Sequence, residues 1–441
     1  AKTRPYISGF GPVTGTLAEE VSFEVTNGDT KIDQSSIQLV VDGASIDNPS
    51  ITAVGDVVTV SYNHGAIFAG GDHLATLTYT EQSTPPATRT VEHAFSVPSG
   101  MVAILEDNPT IYYRLGETSG TVAKSEVGVG IDAIYATVNG AAMPSLGQER
   151  LVVGAQSTSV LFDAAAQNRV EMPDHPATNA GGPYEERTME LWFKARSLPA
   201  STDLADNMVI IEGGGRTRGL TIYLQGTDNP AEAALYMNVW NRAEQFWGAL
   251  DGPEGPVYVG TTGIKAGETY HIAFVMDGDN TAPDSFNGTV TGYLNGQAFG
   301  EVPGVHLLYN HGDDYAIGGV WTNAMFWDED PASNLSAVGD GFFFDGWIDE
   351  VAFFGTALSA DRIKAHYDAG MTEVPFTPGT GGVGGGGQIN SIALSDGSVV
   401  IEFEGTLKSA SSVTGPYAPV GGATSPYSVA PDQSAQFYIA E

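Results

Sequence analysis

The sequence predicts an all-β protein built from three modules. Its 441 residues include 56 glycines and 24 prolines. Most apolar residues fall in short alternating runs bounded by turn residues, and few follow a long helical period. A length of 441 residues fits about three domains at roughly 150 residues each. We therefore expect a first β module over residues 1–98, a larger one over 100–373 and a small one over 388–441.

The first module shows strand-like runs at regular spacing. In one of them Ala75, Leu77 and Tyr79 alternate with threonines, which predicts one buried and one solvated face. The spacing of these strands resembles that of bacterial immunoglobulin-like domains. That resemblance implies a β-sandwich that serves as a spacer or an adhesive stalk.

The second module is organised around residues 344–370, which read as a strand, a turn and a helix. Ser359 is placed to cap a helix over residues 360–368. Asp349 and Glu350 interrupt the apolar strand. Because successive side chains of a strand point to opposite faces, one of these acids should be buried. A buried acid needs hydrogen bonds or a cation.

This stretch also carries a family resemblance. The run GWIDEVAFF, followed by ALSADRI and HY, closely resembles the closing signature of laminin-G-like, concanavalin A-like jelly-roll domains of bacterial surface proteins. Upstream segments appear in the order expected for such a domain: IYYRLGETSGTVAKSEVG, VLFDAAAQNRVEMP, TMELWFKA, GETYHIAFVMDG and GYLNGQ. The resemblance implies two packed antiparallel sheets. It does not fix function, because this fold hosts binding modules, enzymes and scaffolds.

The end of the chain has a different composition. Residues 374–387 are glycine-rich, which is typical of a flexible linker. Beyond them, Val399, Ile401 and Phe403 occupy alternate positions of one run, which predicts a strand of a small C-terminal β module.

Composition excludes several function classes. There is no cysteine, which excludes disulfides, thiolate metal sites and cysteine nucleophiles. With 53 acidic and 18 basic residues the net charge is -35, so we expect neither nucleic acid nor an anionic membrane as a partner. No apolar run reaches the ~20 residues of a membrane-spanning helix. The start at Ala1, without Met or an apolar leader, suggests a processed, secreted or cell-surface protein.

The motifs of common enzymes are absent from the sequence. Glycoside hydrolysis requires two carboxylates across the scissile bond, and on the best-placed strand Glu190 is followed by Trp192 and Lys194. The eight histidines form no HExxH pair, and no G-x-S-x-G run occurs. We therefore predict that the protein is not an enzyme.

The family resemblance implies a structural calcium ion. Laminin-G-like jelly rolls commonly carry one, and Ca²⁺ prefers carboxylate and carbonyl oxygens. By that resemblance the candidate ligands are Glu117 in RLGE, Asp163 in LFDA and Asp349 in WIDE.

Four tryptophans are candidates for binding sugar rings by stacking: Trp240, Trp247, Trp321 and Trp327. Two other interpretations stay open. Aromatic residues of a large sandwich are often core residues, and at a contact between subunits they serve as anchors.

The sequence thus predicts a non-catalytic extracellular protein. It would contact glycans or extracellular matrix through a calcium-stabilised jelly roll and would mediate adhesion. One alternative is a subunit that assembles with copies of itself into a filament or layer, by strand addition to open sheet edges. A second alternative is a polysaccharide-degrading enzyme.

Overall fold

A computed structural model describes most of the chain, and the chain divides into two compact units, Ala1–Gly379 and Thr380–Glu441. The described residues are 3–13, 16–155, 157–215, 217–241, 257–282, 285–327, 337–338, 341–372, 388–395, 398–404, 406–410, 418–420, 423–425, 427–429 and 437–440. The predicted linker, 374–387, lies outside them. Residues 1–98 and 100–373 belong to one compact unit, although the sequence suggests separate modules.

The first module is a sandwich of two four-stranded antiparallel sheets, ordered β1-β2-β6-β5 and β4-β3-β7-β8. Its strands are β1 (Tyr6–Gly11), β2 (Glu20–Thr26), β3 (Ile32–Val41), β4 (Ala44–Ile46), β5 (Ser50–Val54), β6 (Val57–Asn63), β7 (Gly71–Glu81) and β8 (Ala87–Val97). Ala75, Leu77 and Tyr79 are buried in its core, as their alternation predicts. Membership of an immunoglobulin-like family stays a prediction.

The second module contains two eight-stranded sheets and two helices. Its elements are α1 (Ser99–Glu106), β9 (Ile111–Tyr113), β10 (Val122–Ala123), β11 (Ala133–Thr137), β12 (Ser145–Gln148), β13 (Ser159–Phe162), β14 (Asn168–Met172), β15 (Glu186–Ala195), β16 (Met208–Gly214), β17 (Arg218–Gly226), β18 (Ala233–Asn241), β19 (Val257–Ile264), β20 (Thr269–Asp277), β21 (Gly288–Leu294), β22 (Gln297–Val305), β23 (Tyr315–Ile317), β24 (Asn323–Ala324), β25 (Ala337–Val338), β26 (Gly346–Phe354) and α2 (Ala360–Met371). Short 3₁₀ turns occur at Val138–Gly140, Ala164–Ala166 and Leu204–Asp206.

The two sheets differ in what covers their outer faces. One, ordered β12-β13-β26-β15-β20-β21-β22 with β9 paired to β26, is covered by α1 and α2, and we call it the helix sheet. The other, ordered β10-β11-β14-β23-β16-β17-β18-β19, is crossed by residues 318–327. We call this segment the strap and its sheet the strap sheet. The main core lies between the two sheets.

The helix α2 begins where the sequence predicts. Ser359 accepts a hydrogen bond from the Arg362 backbone N–H at 3.4 Å, and the helix continues to Met371, one turn beyond the expected end. Its Ile363 packs with Ile104 of α1 and Phe354 of β26.

A β-bulge in β26 changes the expected placement of Asp349 and Glu350. The register against β15 shifts between Glu190 and Trp192, and Glu350 has a positive φ of 51°. Only one acid was expected to be buried, but both are, with 0% and 4% exposure. The expectation was wrong because strict alternation assumes one residue per position, whereas a bulge inserts an extra residue.

The C-terminal unit contains two three-stranded sheets, ordered β27-β28-β31 and β30-β29-β32. Their strands are β27 (Gln388–Ser395), β28 (Ser398–Glu404), β29 (Leu407–Ala410), β30 (Ala418–Pro419), β31 (Tyr427–Val429) and β32 (Phe437–Ala440). Ile401, Phe403 and Leu407 form a small core. Among the described residues of the whole chain, no helix is long and apolar enough to cross a membrane.

Candidate ligand-binding face

Four side chains line up across the outer face of the strap sheet. Strand alternation sends Leu220 and Ile222 of β17 into the core, so Thr221 between them points outward. In the strand register Glu212 lies opposite Thr221, Thr221 opposite Asn238, and Asn238 opposite Tyr258. Neighbouring strands are about 4.8 Å apart, so these residues form one continuous row.

Side chains of four different strands each form one hydrogen bond with the strap. Every one of these bonds uses a backbone atom of the strap and a side chain of the sheet. Arg169 donates to the Val320 carbonyl at 3.4 Å, the Trp321 N–H donates to Glu212 Oε1 at 2.9 Å, Asn238 Nδ2 donates to the Met325 carbonyl at 3.1 Å, and the Trp327 N–H donates to the Tyr223 hydroxyl at 3.1 Å.

Three buried oxygen atoms beneath the strap have no hydrogen-bond partner among the described residues. They are Glu212 Oε2, Thr221 Oγ1 and Asn238 Oδ1, and their residues are fully buried. Burial raises the pKa of Glu212 well above its usual value, and the backbone N–H groups of Trp321 and Gly214 and the charge of Arg169 offset this only in part. Burial thus favours the uncharged form of this carboxyl.

At the Tyr258 end of the row, three aromatic side chains form what we call the aromatic patch: Tyr236 of β18, Tyr258 of β19 and Trp327 of the strap. We call the other three members, Glu212, Thr221 and Asn238, the polar row. The Trp327 ring centroid lies 4.8 Å from that of Tyr258 and 5.3 Å from that of Tyr236. Tyr258 is 36% exposed, and the other two rings are half-buried. The patch therefore presents aromatic surface to solvent on the face that the strap crosses.

The sequence of this module matches a known family. The model of the Laminin_G_3 family, described as the concanavalin A-like lectin/glucanases superfamily, matches residues 164–364. This segment includes the strap, the polar row and the aromatic patch. Residues 164–364 form a concanavalin A-like domain. The jelly roll expected from the sequence is thereby confirmed.

The solved structures that this chain is similar to share little sequence identity with it. The binding domain of botulinum neurotoxin DC in complex with SialylT shares 10% identity and a TM-score of 0.38, with 60% of this chain and 52% of that chain covered. Domain 4 of an extracellular arabinanase from Geobacillus stearothermophilus, in complex with arabinotriose, is 16% identical in sequence and has a TM-score of 0.31. The match covers 59% of this chain and 98% of that chain. The ligand-binding domain of botulinum neurotoxin serotype D, in complex with N-acetylneuraminic acid, is 12% identical in sequence and has a TM-score of 0.38. The match covers 73% of this chain and 70% of that chain. This chain thus spans about half the length of the first of these proteins. No curated protein sequence matches it.

The tryptophans proposed for sugar binding differ in exposure and in what they contact. Trp327 belongs to the aromatic patch, and Trp321 is half-buried, with its ring centroid 5.6 Å from the guanidinium of Arg169. Trp240 is fully buried, and its Nε1 donates to the Gly215 carbonyl at 3.1 Å. Its interpretation as a sugar-stacking residue is therefore corrected, because a ring without exposed surface cannot stack on a ligand. Trp247 lies outside the described residues.

The three candidate calcium ligands are engaged by protein groups. The two carboxylate oxygens of Glu117 accept from the Lys124 N–H and the Tyr135 hydroxyl, each at 2.7 Å. Asp163 is 3.3 Å from a guanidinium nitrogen of Arg196. Asp349 accepts from the Leu151 N–H at 3.1 Å, and burial and the charge of Glu350 raise its pKa well above the usual value.

Among the described residues, no group of three or more His, Asp or Glu side chains could hold a metal ion. The structural calcium ion and its candidate ligands stay a prediction.

The opposite, helix-covered side of the second module contains a buried ionic network. His366 of α2 contacts Glu190 Oε1 through Nδ1 and Asp107 Oδ2 through Nε2, both at 2.8 Å. Burial raises the pKa of Glu190, but the charges and hydrogen bonds of His366 and His271 outweigh it and lower the pKa to about 2. Burial lowers the pKa of His366, but Glu190 and Asp107 outweigh it and raise the pKa above its usual value.

A pair of acids on the strap sheet was not found by the sequence analysis. Glu171 lies opposite Ala316, which in turn lies opposite Glu212, so two carboxyl groups share one face two strands apart. Arg169 holds Glu171 through two nitrogens, at 3.0 and 2.6 Å. The signal that could have identified Glu212 is an acid inside the apolar run VIIEGG, the same signal that singled out Asp349.

Proposed function

We propose that the concanavalin A-like domain binds carbohydrate and that the aromatic patch is the surface on which a sugar ring stacks. The observation that carries this proposal is the grouping of Tyr236, Tyr258 and Trp327 on one partly exposed surface. The ring faces are apolar, while the tyrosine hydroxyls offer hydrogen bonds at their edges. A sugar ring has the matching character, with apolar C–H faces and polar hydroxyl edges.

The charge of the chain narrows the class of glycan. With a net charge of -35, the protein repels sialylated, sulfated and uronic-acid-rich glycans at low ionic strength. We therefore propose neutral glycans as ligands.

The binding is proposed to be non-catalytic. Glycoside hydrolysis needs one carboxyl group as an acid and another as a base or nucleophile, both reaching the substrate. Glu212 is fully buried, and Glu171 is held by Arg169. This pair supplies no free carboxylate for the second role.

The test is a glycan array with the full chain, followed by calorimetry on the glycans it retains. We expect Tyr258→Ala and Trp327→Ala each to weaken binding about tenfold or more, as is usual for a central aromatic contact. Tyr6→Ala is the matched control, because Tyr6 is a 59% exposed aromatic of the first sandwich and should leave affinity unchanged. Retention of no neutral glycan, or equal binding by all three variants, would refute the proposal. Release of reducing sugar would refute its non-catalytic part.

We also propose an extracellular or cell-surface location and a role in adhesion, supported by the strongly acidic composition, which keeps a secreted protein soluble. The calcium ion implied by the family resemblance is a separate proposal, and a lower Tm in chelator would support it. Self-assembly is the competing proposal, and light scattering that detects polymers of the purified protein would favour it.

A further inference from the structure

The polar row beneath the strap is incompletely satisfied. Buried polar groups in proteins almost always have hydrogen-bond partners. Here Glu212, Thr221 and Asn238 each place one unpartnered, buried oxygen on the same face, in adjacent positions of three neighbouring strands. Three such atoms in one row point to a missing ligand or to buried water.

The strap forms hydrogen bonds with the second polar atom of the Glu212 and Asn238 side chains. Glu212 uses Oε1 for the Trp321 N–H, and Asn238 uses Nδ2 for the Met325 carbonyl. The strap therefore covers the row without completing its hydrogen bonds. A closed strap that leaves buried polar atoms unpaired is less stable than one that pairs them. The free-energy difference between the closed and an open arrangement of the strap is therefore smaller.

The row and the aromatic patch are continuous. Asn238 lies directly opposite Tyr258. Thr221 is two residues from Tyr223, whose hydroxyl accepts the Trp327 N–H. Movement of the strap between Gly318 and Met325, with Trp327 left on the patch, would thus join the row to the patch and lengthen the binding surface across the sheet.

We propose that the strap is a displaceable cover and that Glu212, Thr221 and Asn238 form a second subsite, which binds hydroxyl groups of a longer neutral saccharide. This inference rests on the proposed function and adds to it the means by which the same site is opened. The Glu212 carboxyl accepts a hydrogen bond and, when protonated, donates one; Thr221 can donate or accept, and Asn238 Oδ1 accepts. A sugar hydroxyl both donates and accepts, so it can bridge neighbouring members of the row.

The decisive variant is Thr221→Val, which removes one unpartnered hydroxyl and preserves the side-chain shape. We expect Tm to rise by about 2 °C, because an unsatisfied buried polar group is lost. We expect the affinity for neutral hexasaccharides (cello-, malto-, xylo- and arabinohexaose as probes) to fall about three- to tenfold, because a hydrogen bond to the ligand is lost. A merely structural threonine would not give these two opposite changes.

Thr188→Val is the matched control. Thr188 is a fully buried threonine of the helix sheet whose hydroxyl donates to the Thr356 carbonyl at 2.7 Å and accepts from the Leu358 N–H at 2.9 Å. Its loss should lower Tm and leave saccharide affinity unchanged. As a second measurement, hydrogen exchange at Trp321 should accelerate when a hexasaccharide saturates the protein, since its amide donates to Glu212 in the closed arrangement. Exchange at Trp327, which stays on the patch with its amide bonded to Tyr223, should not accelerate.

The outcomes separate this inference from the proposed function. If Tyr258→Ala weakens binding but Thr221→Val leaves affinity unchanged, the patch binds sugar and the covered subsite does not exist. A lower Tm for Thr221→Val would show that the hydroxyl is bonded to buried water, which overturns the inference as well. Slower exchange in the strap on saturation would mean that it closes over ligand instead of opening. If no neutral saccharide binds, both proposals fail.

Discussion

His366 has acceptors on both sides of its ring. Nδ1 faces Glu190 and Nε2 faces Asp107, and both partners are carboxylates. A neutral imidazole has one N–H and can donate to only one of them. The arrangement therefore requires the doubly protonated ring, consistent with its raised pKa.

The pH dependence of stability follows from these shifts. The pKa of His366 is raised by folding, so its stabilisation is complete below the ordinary histidine value near ~6.5 and is lost as pH rises through the folded pKa. The pKa of Glu190 is lowered from 4.5 to about 2, so its stabilisation is present above 4.5 and is lost as pH falls through about 2. We expect the free energy of unfolding, measured in urea, to be greatest between these limits.

His366→Ala should lower the free energy of unfolding at pH 6 by about 3 kcal/mol, because it leaves Glu190 buried without its principal cation. The variant should also lose the decline in stability above pH 6.5. His64→Ala, at an exposed histidine of the first sandwich, should retain that decline. An unchanged pH profile in the His366 variant would show that another group produces it.

The sequence could indicate individual buried groups but not their pairing. Asp349 stands out as an acid in an apolar run, and it is indeed buried. His366 and Glu190 are 176 residues apart along the chain, and no periodicity of either segment brings them together. Trp240 shows that alternation does not predict burial on the outer face of a sheet. This residue faces away from the main core and is still fully buried.

At the level of elements, the strap begins at a position that only glycine occupies without strain. Gly318 has a φ of +86°, and a Cβ placed on it would lie 2.5 Å from the ring of Phe162. We expect Gly318→Ala to cost about 2 kcal/mol, measured by chemical denaturation.

Gly312→Ala is the control for that variant. Gly312 lies a few residues upstream, outside the left-handed region, and its Cβ would meet no atom within 4 Å. It should change stability by less than about 0.5 kcal/mol. Equal effects of the two substitutions would contradict the backbone argument.

Elements with strong alternation could be predicted from the sequence, and irregular ones could not. In β15, Met189, Leu191 and Phe193 reach the core as their period requires. The bulge at Glu350 follows no composition rule, so the placement of both acids was missed. The strap was missed because its residues have no period of their own and are fixed by side chains of distant strands.

For the whole molecule, self-repulsion should limit stability at low salt. The net charge of -35 favours expanded states, and counterions screen it with a Debye length of about 10 Å at 0.1 M. We expect Tm to rise by about 2–4 °C between 10 mM and 0.5 M NaCl at pH 7.

Choline chloride at equal ionic strength should give the same rise, since screening does not depend on the cation. A rise specific to CaCl₂ at matched ionic strength would instead support a bound calcium ion. A fall in Tm with salt would show that attractive ion pairs, such as those around Arg196 and Arg362, outweigh the repulsion.

The anchoring of the strap has a consequence for how this protein can diversify. The four hydrogen bonds that join it to side chains of the strap sheet all use its backbone atoms, while the specific side chains are on the strands below. Exchange of Trp321 or Trp327 for other residues would therefore change the surface offered to a ligand and keep the strap in place. A binding scaffold needs a surface whose side chains can change while its backbone stays fixed. In this domain the ten residues of the strap form such a surface.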